Sequence, residues 1–176
     1  MITRLLASAA LLASAVTASA ATTTYEVEAF AHSYIGGSGS GLDTGLSFAV
    51  GDTVTISADP QDTWVVNTTS SFGLTDANGY TGYVLYGPSS AGGFSAYFSS
   101  LVAQIGSTFY AVGLGASLNV TEAGSLVFFN WDSDTVMNSG SVTVTVDYGT
   151  PVVPLPAGLP LLAGGLLALG GLRRRR

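Results

Sequence analysis

The chain has 176 residues, no cysteine, five Lys+Arg against eleven Asp+Glu, and a mean hydropathy of +0.46. All five basic residues are Arg4 and Arg173 to Arg176, and all eleven acids lie between Glu26 and Asp147, so the interior has no Lys or Arg with which a carboxylate can pair. Such a surface repels nucleic acid and anionic lipid, the missing cysteines exclude disulfides and thiolate metal sites, and oxygen-loving divalent cations are the natural counter-charge.

The N-terminus reads as a secretory signal peptide over residues 1–20: Arg4 gives a positive n-region, Leu5 to Val16 an apolar h-region, and Ala18-Ser19-Ala20 an A-x-A cleavage site. The stretch 21–150 reads as one acidic domain. Its hydrophobic residues alternate with period two, as in half-buried strands. The clearest strands are Thr53 to Ala58 and Ser141 to Asp147, where Val and Ile alternate with Thr and Ser. Thr24 to Ala31, Tyr83 to Tyr86, Leu101 to Ile105, Tyr110 to Val112, Leu118 to Val120 and Leu126 to Asn130 complete the set. Turn sequences separate them: Gly51-Asp52, Asn78-Gly79, Gly87-Pro88, Gly92-Gly93, Gly124 and Asn138-Ser139-Gly140. Gly36 to Gly41 reads as a flexible loop joining an outer first strand to the rest. Short strands with regular turns predict an all-β fold, an antiparallel jelly-roll-like β-sandwich.

The segment 151–176 differs in kind. Val153-Pro154-Leu155-Pro156-Ala157 precedes an apolar run to Leu172, which Arg173, Arg174, Arg175 and Arg176 close. As a helix, Leu155 to Leu172 would be about 27 Å long, just short of the ~30 Å hydrocarbon core of a bilayer. The arginines favour the cytoplasmic side, so the acidic domain is expected outside. This tripartite tail resembles the VPLPA-CTERM sorting signal, a relative of the PEP-CTERM signals of Gram-negative bacteria. The resemblance implies an exosortase-type membrane protease as processing partner, a transient inner-membrane anchor, and delivery to the outer surface or the extracellular matrix.

A second resemblance covers residues 43–147. Asp43-Thr44-Gly45, Val50-Gly51-Asp52-Thr53-Val54-Thr55-Ile56, Gly87-Pro88, Leu101 to Gly106, Gly124-Ser125-Leu126 and Asn138 to Val144 follow one another in an order similar to the calcium-dependent galactose-binding bacterial lectins. In that family the loop between the last two strands holds Ca2+, which takes sugar hydroxyls directly. The corresponding loop here runs from Asn130 to Asn138, and the resemblance implies Asp132, Asp134 and Asn138 as metal ligands. Hard oxygen donors in one loop suit Ca2+. Trp131 offers either an aromatic platform for a bound sugar or a core side chain.

The loop also departs from the family pattern. It is one residue short, Trp131 stands where an acid is expected, and Met137 stands where a second Asn would help. The His and Gln that specify galactose have no counterpart in Gly87 to Gly93, so galactose specificity is not carried over. Asp59, Asp62 and Asp76 are acidic but sit in turn-like sequence. A hydrolase triad would need the only histidine, His32, and no G-x-S-x-G elbow accompanies it. The expectation is therefore a non-enzymatic, exported protein with Ca2+-dependent binding of polysaccharide; the alternative is a structural matrix or adhesion protein without a defined ligand site.

Overall fold

A computed structural model describes residues 20–34, 40–66, 73–81, 93–133 and 137–149. The signal-peptide core, the Tyr83 to Tyr86 strand, most of the glycine-rich loop, Asp134 and the whole sorting tail lie outside the described residues. Ala20–Gly149 forms one compact unit. Among the described residues no helix is long and apolar enough to cross a membrane.

The elements are all strands: β1 Ala20–Glu28, β2 Leu42–Phe48, β3 Thr53–Ala58, β4 Trp64–Val66, β5 Leu101–Ile105, β6 Thr108–Ala111, β7 Gly115–Asn119, β8 Gly124–Asn130 and β9 Asn138–Gly149. They form two antiparallel sheets, one ordered β1-β9-β3-β7 with β4 also on β9, the other β2-β8-β5-β6. The all-β sandwich expected from alternation is the architecture observed.

Alternation explains which side chains meet. On β3, Val54, Ile56 and Ala58 point inward while Thr53, Thr55 and Ser57 are exposed. On β9, Val142, Val144 and Val146 do the same. They pack against Leu101, Ala103, Ile105, Leu126 and Phe128 of the other sheet to make the main core. Removing that apolar area from water is the principal stabilising term in the absence of disulfides.

Three differences from the expected elements have physical causes. The first strand begins at Ala20 and ends at Glu28 because the chain then turns: His32 N donates to Glu28 O at 3.0 Å and Ser33 Oγ to Ala29 O at 2.6 Å. The additional strand β2 alternates in burial, but its centre reads as a turn: at Asp43-Thr44-Gly45 the pairing with β8 is irregular, Gly45 has φ of 72° and its N–H donates to Asp43 Oδ1. The additional strand β4 has only three residues, too few to show a period.

Candidate functional site

The end of the sandwich where β8 stops and β9 starts holds a set of buried polar side chains. Ser33, Ser99, Ser100, Asn130, Asp132 and Asn138 are the buried polar or charged residues among those described. Hydrogen bonds draw them together from four stretches of chain. Tyr34 N donates to Asn130 O and Asn130 N to His32 O, both at 3.0 Å, so residues 32–34 run alongside the end of β8. Ser99 N donates to Trp131 O at 3.0 Å, and Trp131 N to Ser100 O at 2.9 Å. The indole Nε1 of Trp64 donates to Ser99 O at 2.9 Å.

Asp132 and Asn138 form the centre of this set. They are 3% and 7% exposed, and Asn138 Nδ2 donates to Asp132 Oδ2 at 2.8 Å and to Ser33 Oγ at 3.0 Å. An ionised carboxylate at this depth is strongly disfavoured unless hydrogen-bonded or paired with a cation, and the domain contains no Lys or Arg. The amide donor meets part of that need. Because Nδ2 faces the carboxylate, Oδ1 of the same amide is turned away from it; rotation of the amide would present two oxygens towards a shared point. The expected ligand Asp134 lies outside the described residues. Among the described residues no three His, Cys, Asp or Glu side chains group closely enough to hold a metal ion. Among the described residues, the further oxygens beside Asp132 are those of the carboxamides and the backbone.

Backbone conformation at the site is specific. Met137, immediately before Asn138, has φ of 72°, and Ser99 has φ of 59°. Non-glycine residues enter this region at a cost and are held there by their surroundings. Gly140 has φ of 85°, and a Cβ there would lie 2.6 Å from Thr63 O, so the close approach of β4 to β9 requires glycine.

Trp131 is 0% exposed. Its indole stacks on Tyr34 with centroids 4.7 Å apart, and Phe94 and Phe109 meet it edge-on at 5.2 and 5.4 Å. Of the two roles open in the sequence, packing is the one that this burial supports. Solvent-facing aromatic surface is offered instead by Phe30, which borders a shallow groove with Glu26, Glu28 and the start of β9, including Asn138.

The other acids act in turns. Asp59 Oδ1 accepts from Gln61 N and Asp76 Oδ1 from Asn78 N, each at 2.8 Å. Asp62 accepts from the side chain of Thr143 and, through Oδ2 at 2.8 Å, from its backbone N–H, which together lower its pKa. Glu122 accepts from Ser107 and Thr108, which lowers its pKa likewise. His32 Nδ1 accepts from Glu28 N at 2.9 Å, a bond that requires the neutral imidazole at that nitrogen.

Sequence reasoning identified Asp132 and Asn138 but not Ser33, Ser99, Ser100 or Asn130. One signal was present: Leu126, Phe128 and Asn130 share a strand face, so Asn130 falls where the pattern calls for an apolar residue. Its side-chain Oδ1 and Nδ2 are buried without a hydrogen-bond partner among the described residues.

No model of a protein family matches the sequence, and no curated protein does. A solved structure described as "EclA N-terminal domain; PllA-like lectin" superimposes with a TM-score of 0.51 and 25% sequence identity, covering 72% of this chain and 95% of that one.

Proposed function

We propose that this chain is an exported, non-enzymatic carbohydrate-binding β-sandwich whose final loop engages sugar through Ca2+. The observation that carries the reading is the buried Asp132–Asn138 pair, 2.8 Å apart, at the junction of β8 and β9 in a domain whose fold is like that of a lectin. Asp132 Oδ1 and Oδ2, Asn138 Oδ1 and Asp134 are the side-chain oxygens that would hold the ion. When bound, Ca2+ supplies six to eight oxygen positions at roughly 2.3–2.6 Å, some of which sugar hydroxyls can fill. Before the ion enters, Asn138 Nδ2 holds the Asp132 carboxylate and Ser33 holds Asn138, with the Trp64–Ser99 hydrogen bond fixing the segment beneath; engaging the ion would turn the Asn138 amide so that Oδ1 replaces Nδ2 beside Asp132. Trp131 supports the loop from the opposite face of β8.

Thermal unfolding across a Ca2+ titration, with Mg2+ at equal ionic strength, tests this directly. Saturation at about 100 times the dissociation constant adds about 2.7 kcal/mol, a melting shift of roughly 5–15 °C for a domain of this size. Asp132→Asn should abolish the shift and the Ca2+-dependent retention on immobilised polysaccharide. Identical curves with Ca2+ and with chelator would sink the calcium reading and leave the structural matrix or adhesion protein as the better account.

For the tail, the proposal is processing by an exosortase-type protease at Val153 to Ala157, with Arg173 to Arg176 holding the apolar segment across the inner membrane until release. Replacing Pro154 and Pro156 by Ala should leave a longer, membrane-held form on immunoblots of cell fractions. Normal processing of that variant would contradict the sorting role.

A further inference from the structure

The groove beside Asn138 has a chemistry of its own. It has a volume of about 350 Å³, opens to solvent, and is lined by Glu26, Glu28, Phe30 and residues Asn138 to Ser141. Glu26 and Glu28 project from the same exposed face of β1, and Phe30 follows just beyond the strand's end. On an extended strand, alternate side chains stand about 6.5–7 Å apart, so the two carboxylates present negative charge at regular intervals towards an aromatic end. Phe30 is 59% exposed, whereas Phe128, Phe129 and Trp131 are buried. Ser141 Oγ donates to Glu26 Oε1 at 2.6 Å, which orients that carboxylate across the β1–β9 ladder.

A ligand for this surface needs an apolar face for Phe30 and hydrogen-bond donors, preferably cationic, for the glutamates. The donors must come from the ligand, because no Lys or Arg exists between Glu26 and Asp147. We infer that the groove binds a linear glycan carrying protonated amino groups, with one sugar ring on Phe30 and the ammonium groups of its neighbours on Glu28 and Glu26. The inference rests on the carbohydrate-binding reading of the fold but not on Ca2+, since none of the three side chains belongs to the Asp132–Asn138 pair. The groove reaches Asn138, so a glycan seated there could continue towards the final loop.

The test uses the full chain and a deacetylated chitin hexamer, titrated calorimetrically in EDTA. Binding is expected without calcium and should be unaffected by Asp132→Asn. Phe30→Ala, at an exposed position, should weaken it about three- to tenfold, and the double variant Glu26→Gln/Glu28→Gln about tenfold or more. The fully N-acetylated hexamer should bind at least about tenfold more weakly, since it keeps the rings and loses the cations. Affinity for the amino form should fall as salt is raised. Equal affinity for both hexamers, an unaltered Phe30→Ala variant, or equal binding of hexalysine would overturn the inference, the last by showing plain charge attraction. Binding that vanishes in EDTA and with Asp132→Asn would assign the glycan to the final loop and remove the groove from the account. A failure of every hexamer arm with an intact Ca2+ shift on other polysaccharides would overturn the groove while leaving the proposed function standing.

Discussion

The outward faces of the two sheets are built in opposite ways. On the five-stranded sheet, Thr53, Thr55 and Ser57 of β3 and Thr143 and Asp147 of β9 face solvent beside Glu26 and Glu28 of β1. On the four-stranded sheet, Val102, Phe129 and Trp131 are covered by Tyr34 and packed with Phe94 and Phe109 into a second apolar cluster. The five-stranded sheet is thus wet on its outer side, whereas β5 and the end of β8 are covered on both faces; β2, with Asp43 and Ser47 exposed, is not. A strand shows polar alternation only where one of its faces stays wet. The two sheets therefore divide the work: the covered sheet carries Asn130, Trp131 and Asp132 on a rigid base, and the wet sheet supplies the groove beside Asn138.

Substitutions on the two outer faces test this difference most directly. Trp131→Ala should cost about 3–5 kcal/mol, the range for deleting a large buried aromatic side chain. Thr55→Ala, on the wet face of β3, should stay within about 0.5 kcal/mol, because that side chain is exposed. Denaturant midpoints of the two variants decide the matter. Similar losses would mean that the aromatic layer adds little beyond the main core.

Glycines sharpen the same contrast at smaller amplitude. Gly140 on β9 and Gly45 on β2 both have positive φ, but a Cβ at Gly140 would meet Thr63 O at 2.6 Å and Trp64 Cα at 2.9 Å, whereas one at Gly45 would meet nothing within 4 Å. Ala at Gly45 carries only the left-handed backbone penalty, about 1–2 kcal/mol. Ala at Gly140 carries that penalty and must also push β4 away from β9, so its melting temperature should fall further. Since β4 brings Trp64 beneath Ser99, Gly140→Ala should also weaken any Ca2+ response; Gly45→Ala should not. Equal melting losses would mean that β4 yields at no cost.

How far the sequence could be read follows from the same division. β3 and β9 were plain because their Thr and Ser residues mark the wet face. The Leu101 to Ile105 and Leu126 to Asn130 strands were recognisable as apolar runs, but which of their faces was core could not be told, since both are. β2 was hidden by the turn-like Asp43-Thr44-Gly45 in its middle, and β4 by its brevity. At the site, Asp132 and Asn138 stood out as oxygen donors in one loop. Ser33 and Ser99 did not, because their role depends on long-range hydrogen bonds that no local pattern encodes. Trp131 was undecided for a similar reason: whether an aromatic in a polar loop is open or covered depends on Tyr34 and Phe94, which come from distant parts of the chain.

The smallest expected effect concerns the turn that carries the chain from the wet sheet to the cover of the other one. His32 lies in that turn, between the end of β1 and Tyr34, and burial lowers its pKa, with the nearby Glu28 carboxylate opposing in part. The folded-state pKa is therefore below the unfolded value of about 6.5, and the unfolded chain binds more protons in the window between them. Stability contributed by the neutral imidazole is fully present above about pH 6.5 and declines as pH falls towards the folded pKa. Chemistry agrees with the sign, since a protonated Nδ1 can no longer accept from Glu28 N. Asp62 and Glu122, whose pKa values are lowered by hydrogen bonds, lose their contributions at lower pH, below the ordinary carboxylate range. His32→Asn keeps an acceptor oxygen near the Nδ1 position and removes the titration. Its stability should stay flat from pH 7 to about 5.5 while the parent's declines, and the curves should run parallel in the carboxylate window. Parallel curves throughout would mean that the turn tolerates the imidazolium.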